Sequence, residues 1–220
     1  AHTPPQPVYV GSSEEITVTR PRVPTQPPQN IMHGQIPVLM FHRIGIPEDR
    51  YTLSPDGFRS VITDLKQDDF YAVTLDQFLE ADFSHIPEGK KPVLLTFDDA
   101  TPNQLSYETG SLDRNSAVGI LEEAFQDGTF GRGAVFYISH SSDDHQYRSP
   151  FHNDIVSLDS VRTHLDWLSQ NGYEIGAHTP YHTANKTSTP TDIEEQHQLT
   201  YALLQSSTSY SLPKQLHYAH

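Results

Sequence analysis

Five short apolar runs, separated by stretches of helical periodicity, constrain the fold of this chain more than any other feature. They are Ile36-Pro37-Val38-Leu39-Met40-Phe41, Tyr71-Ala72-Val73-Thr74-Leu75, Pro92-Val93-Leu94-Leu95-Thr96-Phe97, Gly133-Ala134-Val135-Phe136-Tyr137-Ile138 and Tyr173-Glu174-Ile175-Gly176-Ala177. Their length and composition read as buried strands. Between them apolar residues recur at helical spacing: Phe58, Val61, Ile62 and Leu65; a short helix at Leu75, Phe78 and Leu79; Ala117, Val118, Ile120, Leu121, Ala124 and Phe125; and Leu158, Val161, Leu165 and Leu168, stopping at Asn171-Gly172. Strands alternating with helices predict right-handed crossovers and an α/β fold with a parallel sheet or barrel. A last helix is expected from a capping box, Thr191-x-x-Glu194, through Ile193, Leu199 and Leu203, and Leu216-His217-Tyr218-Ala219 reads as the start of a sixth strand. A closed parallel barrel needs more strands, so the expectation is a barrel that is incomplete within this chain. Residues 100–112 and 139–157 read as polar loops, the second carrying His140, His145 and His152.

The first 35 residues follow another pattern. Seven prolines lie between Pro4 and Pro28 among Thr, Gln and Ser, and the alternation Glu15-Ile16-Thr17-Val18-Thr19 is followed by Pro21 and Pro24. Residues 1–35 therefore read as an extended, polyproline-like tether, and residues 36–220 as the domain. Lys and Arg total 14 against 28 Asp and Glu, a formal charge of −14, which excludes phosphate-driven nucleic-acid binding and favours a neutral or cationic ligand. The absence of cysteine excludes disulfides and thiolate metal sites. No apolar run reaches the ~20 residues that span a bilayer, so no transmembrane segment is expected. The chain begins with Ala1 and reads as a processed form or a fragment.

The third run ends in two adjacent carboxylates, Asp98 and Asp99. A buried strand delivers them to its C-terminal edge, where α/β proteins keep their chemistry. About eighty residues on, the fifth run ends in His178-Thr179-Pro180-Tyr181-His182. One carboxylate with two imidazoles makes a facial metal set with open positions, and a second carboxylate can serve as base. On a helix, histidines four apart suggest a zinc protease, but Pro180 disfavours a helix here and a strand-to-loop turn is expected. Read singly, each half has a plainer alternative. Paired acids after a strand are commonly a solvated turn, and chance pairs are expected among 13 histidines, His217 and His220 being one. His42, at the end of the first run, either lines the cleft or packs at a strand end. Trp167 is expected to pack against the core.

Thr96-Phe97-Asp98-Asp99 and His178-Thr179-x-x-His182, in this order and spacing, resemble the first two motifs of the polysaccharide deacetylases, the NodB-homology or carbohydrate esterase family 4 group. The resemblance runs from about Ile36 to the C-terminus. Val38-Leu39-Met40-Phe41-His42 is similar to the opening strand of the branch that includes poly-N-acetylglucosamine deacetylases, and Gly172-Tyr173-Glu174-Ile175-Gly176 to the strand before the second motif. The resemblance implies a distorted (β/α)7 barrel and hydrolytic removal of N-acetyl groups from N-acetylglucosamine-containing polysaccharide, such as peptidoglycan, poly-N-acetylglucosamine or a chitin-like polymer. It implies Asp98 as general base, with Asp99, His178 and His182 as ligands of a divalent metal, most often zinc. It implies that Thr179 buttresses the loop. An extracellular or cell-surface location follows from the family and the Pro-rich tether. Ala100 stands where the family usually has Gly, and the family's later motifs, with their Arg, Trp or Asp loop and Leu-x-His acid, are not placed before His220. A non-catalytic domain that keeps the metal or the glycan groove is therefore the alternative. An iron oxygenase triad is disfavoured, because its first His and carboxylate usually lie two apart on a β-sandwich.

Overall fold

The computed structural model describes residues 35–139 and 149–178, with further positions between 189 and 205. The Pro-rich segment 1–34, His140, His145, Thr179, Tyr181, His182, Ile193, Leu199, Leu203 and the 216–219 run lie outside the described residues. The elements in chain order are β1 (Val38–Phe41), β2 (Arg43–Ile44), β3 (Thr52–Leu53), α1 (Pro55–Gln67), β4 (Phe70–Val73), α2 (Leu75–Glu80), β5 (Lys91–Phe97), a 3-10 turn (Pro102–Gln104), β6 (Tyr107–Glu108), β7 (Ser111–Leu112), α3 (Ala117–Phe125), β8 (Val135–Ile138), α4 (Leu158–Gln170) and β9 (Glu174–Ala177).

β1, β4, β5, β8 and β9 form one sheet, all parallel, and correspond to the five apolar runs. No closed barrel forms among the described residues. β5 is central. β1 runs along one flank, matching Val38 to Leu94 and Phe41 to Phe97. β4 and β8 share the other flank: β4 pairs with Lys91 to Leu94, β8 with Thr96 and Phe97. For both to fit, the chain entering β8 must press against the end of β4. Gly131 and Gly133 make this possible. A Cβ on Gly131 would lie 2.0 Å from the Ala72 carbonyl oxygen, and one on Gly133 2.3 Å from the carbonyl carbon of Val73.

Alternation along the strands divides the sheet into two faces. Val93, Leu95 and Phe97 of β5 join Phe58 and Ile62 of α1, Val118 and Leu121 of α3, and Val161 and Leu165 of α4 in the main core. The opposite, inner face holds a small cluster of Leu75, Leu94, Val135 and Tyr137. β1 departs from the buried strand expected of it. It is a sheet edge whose inner-face residues Val38 and Met40 are 50% and 61% exposed, while Leu39 and Phe41 pack against the main core.

Helix starts follow local sequence. Ser54, Thr74, Ser116 and Ser157 each cap a helix by accepting a backbone N–H three residues on. Thr74 with Gln77 forms a full capping box, which ends the second strand at Val73 and draws Leu75 into α2 rather than into the strand. Residues 107–112, expected as loop, form a two-stranded hairpin of β6 and β7. Thr191 is already helical rather than a cap, and Leu204 of that last helix is buried in the core. Among the described residues no helix is long and apolar enough to cross a membrane.

The β4–β8 approach gives a direct prediction. Gly133→Ala should lower stability by more than the about 1–3 kcal/mol of ordinary overpacking, because backbone rather than a side-chain tip must yield. Urea unfolding measures it; a midpoint equal to that of the parent would mean the two strands do not meet this way.

Candidate active site

The C-terminal ends of β5, β8 and β9 lie side by side, and sheet hydrogen bonding continues into the residues that follow them. The Asp98 N–H donates to the Phe41 carbonyl at 2.9 Å, and the His178 N–H donates to the Ile138 carbonyl at 3.0 Å. Both backbones are thus fixed by the ladder. Asp98 is 6% exposed and stands on the inner face. Simple alternation would send Asp99 to the other face. Instead Asp99 and Ala100 both adopt left-handed backbone, with φ of 76° and 49°. This turn breaks the period of two, and the Asp99 Oδ1 comes to 3.3 Å from the His178 Nε2.

That distance fits two ligands of one ion. With bonds of about 2.1 Å to N and O, two donors on a shared ion stand about 3.0 Å apart at a right angle and about 3.4 Å apart at a tetrahedral angle. It is long for a charge-assisted N–H···O bond, typically about 2.7–2.9 Å. Among the described residues no three His, Asp or Glu side chains gather as a metal-holding group. The third ligand implied by the resemblance, His182, lies outside those residues. The structure therefore brings Asp98, Asp99 and His178 to one edge and leaves His182 undescribed.

Gln104 braces the site from below. It is fully buried, and its side-chain amide donates to the His42 carbonyl and, at 2.6 Å, to the Asp98 carbonyl; the Thr101 hydroxyl donates to the same His42 oxygen at 3.1 Å. β1 and β5 are tied at the level of the carboxylates. The His42 ring lies 5.2 Å from the Tyr51 ring and lines a side cavity of about 200 Å³. Gln104 carries no signal in the sequence; Tyr137 and Ser139, the inner-face residues at the end of β8, carry a weak one. Their only signal is period two within an apolar run: Val135, Tyr137 and Ser139 share the face of Asp98. Burial, with the charges of Asp98 and Glu174, pushes the Tyr137 phenol up to about 12. Glu174, at the start of β9, accepts the Leu75 and Asp76 N–H groups at the start of α2, tying the inner face together. Trp167 stacks on Tyr173 at 6.2 Å, the packing role expected of it.

His152 stands partly buried in its loop. Its ring meets that of His164 edge to face at 4.6 Å, and each donates its Nδ1–H to a backbone carbonyl, His152 to Pro150 at 3.0 Å and His164 to Ser160 at 3.1 Å. Both line a groove of about 390 Å³ with Tyr107, Phe151 and Asp154. The Phe151 N–H donates to the Ala100 carbonyl at 2.8 Å, which links this groove to the turn after Asp99.

No protein-family model matches the chain, and no curated protein matches it in sequence. Solved structures do match. The chain has the fold of the polysaccharide deacetylases. A polysaccharide deacetylase from Bacillus cereus aligns with a TM-score of 0.56 at 21% identity, over 80% of this chain and 48% of that one. The Streptococcus pyogenes deacetylase PplD, solved with acetate, aligns with a TM-score of 0.57 at 18% identity, over 78% and 68%. IcaB from Ammonifex degensii aligns with a TM-score of 0.52 at 18% identity, over 81% and 76%. This chain spans about half the length of the Bacillus cereus protein.

Two predictions arise here. At Ala100, glycine would relieve left-handed strain of about 1–2 kcal/mol, lose a buried methyl of about 0.8 kcal/mol and add unfolded-chain freedom of about 0.4–1 kcal/mol, so Ala100→Gly should leave the melting temperature nearly unchanged. Ala100→Val, branched at Cβ and with no room, should cost about 2 kcal/mol or more. Equal stability of the two variants would contradict the left-handed turn. The second concerns His152 and His164. Burial lowers both imidazoles below their ordinary range; the neighbouring His164 lowers His152 further, and Asp154 opposes it. The unfolded chain then binds more protons on the acid side, so stability is full above about pH 6.5 and falls as pH drops through that value. Thermal melts should show His164→Phe losing part of this dependence; an unchanged slope would contradict it.

Proposed function

We propose that this chain is a metal-dependent hydrolase that removes N-acetyl groups from N-acetylglucosamine-containing polysaccharide: peptidoglycan, poly-N-acetylglucosamine or a chitin-like polymer. The observation that carries the reading is the 3.3 Å approach of Asp99 Oδ1 to His178 Nε2 beside the buried Asp98. The deacetylase fold around it supports the same reading. Asp99 and His178, with His182, would hold a divalent ion, zinc being the one that the deacetylase resemblance implies. Such an ion supplies Lewis-acid polarisation of the acyl group and of water. Asp98 would take the proton of the water that attacks the acetamide carbon, and its burial keeps the carboxylate close to the reacting atoms rather than hydrated. The amide C–N bond then breaks, giving acetate and a free amino sugar.

Charge supports the assignment of product. The chain carries −14, and the deacetylated polymer is cationic, so the protein's field favours a substrate that gains positive charge as it is processed. A polymer of this kind lies outside the cell membrane, and an extracellular or surface location follows for the enzyme that trims it.

Acetate release from N-acetylglucosamine oligomers, with zinc and with chelator, tests the reading. Asp98→Asn should lower turnover by about 10²-fold or more while zinc uptake is retained, as expected of a general base. No release from folded, zinc-loaded parent chain would leave instead a metal- or glycan-binding domain without turnover.

A further inference from the structure

β8 lies between the strand that ends in Asp98 and the strand that ends in His178. Its inner face carries two hydroxyls that the reading above does not use. The register matches Phe97 to Phe136, so Tyr137 stands at the level of Asp98; it matches Ile138 to Ala177, so Ser139 stands at the level of His178. Each is 8% exposed. The Tyr137 ring packs on Leu75, Leu94 and Val135, contacts that phenylalanine would make equally well. Its hydroxyl has no hydrogen-bond partner among the described residues. The Ser139 Oγ is buried and likewise without one. A buried hydroxyl without a partner is a net cost to the fold, so the Ser139 Oγ, at the level of a candidate ligand and on the same strand face as the Tyr137 hydroxyl, calls for a partner that arrives from outside.

We propose that the inner face of β8 is the wall of the substrate site, with the Tyr137 hydroxyl donating a hydrogen bond to the acetyl oxygen of a bound N-acetyl sugar and Ser139 contacting the same group. This deepens the deacetylase reading and rests on it for the identity of the ligand. Asp98 activates water toward the acyl carbon, so a donor at the same level reaches the oxygen on that carbon. The bond strengthens as charge builds on the oxygen. Tyr137 stays protonated through the neutral range, which keeps it a donor beside the Asp98 carboxylate.

The test uses the full chain and a tetramer of N-acetylglucosamine. In an Asp98→Asn background that blocks turnover, adding Tyr137→Phe should weaken calorimetric binding of the tetramer about tenfold, the effect of one good hydrogen bond. In the parent background, Tyr137→Phe should lower kcat/KM about tenfold or more without moving its acidic limb. Unchanged affinity and unchanged kcat/KM overturn the proposal. A shifted acidic limb with unchanged affinity also overturns it, because Tyr137 would then act through Asp98. Normal binding by a parent chain that releases no acetate overturns the deacetylation reading instead, and the affinity comparison alone then decides the role of Tyr137. A tetramer that binds none of these proteins overturns both.

Discussion

Phe41, Phe97 and Phe136 occupy one level of three adjacent strands, and their stacking fixes the height at which the side chains of the candidate site stand. Phe97 lies 5.3 Å from Phe41 and 4.8 Å from Phe136, both with nearly parallel rings, and Phe58 of α1 meets it edge-on at 5.8 Å. Each such pair adds about 0.5–1.5 kcal/mol to the burial of large rings. The consequence is positional. With these three rings in register, the next residues outward are His42, Asp98 and Tyr137, and the inner face of the sheet acquires its polar rim at one level. A slip of one residue along β5 would turn Asp98 into the main core, where an unpaired carboxylate is prohibitive.

From that fixed level the chain must still bring a second carboxylate to the same side. Alternation forbids it and the left-handed turn at Asp99 and Ala100 achieves it. The strain is offset by what surrounds the turn: Gln104 and Thr101 tie β1 and β5 from within, and Phe151 donates to the Ala100 carbonyl from outside. Strain held in this way by its surroundings is typical of functional sites. The inner face is meanwhile closed at its lower end by Glu174, whose carboxylate joins β9 to the start of α2.

Much of this was legible in the residues. The five apolar runs became the five parallel strands, since length and composition report burial well. The adjacency of Asp99 and His178 was legible only through the pairing of two weak motifs, because neither motif alone specifies its partner. β1 reads as buried and lies at the sheet edge among the described residues. Its composition matches that of β5, and nothing local to it tells an edge strand from a central one. The hairpin at 107–112 was missed because its strands are two residues long and polar. Leu75 fits both the second apolar run and the helix after it, and the capping box of Thr74 and Gln77 decides for the helix, a local signal that outweighs β-propensity. Tyr137 and Ser139 were hidden in plain apolar pattern; only the register shows that they share a face and a level with Asp98 and His178.

Under the proposed function, Asp99 and His178 are two ligands of one ion at the shared edge of β5, β8 and β9. Cobalt(II) substituted for zinc measures it most directly, because its visible bands report the ligand set and do not require turnover. The expected result is one tightly held cobalt with absorption characteristic of a low-coordinate N,O site, lost on His178→Ala and on Asp99→Ala and kept in Asp98→Asn. Cobalt held with unchanged bands and stoichiometry after loss of either side chain would contradict it.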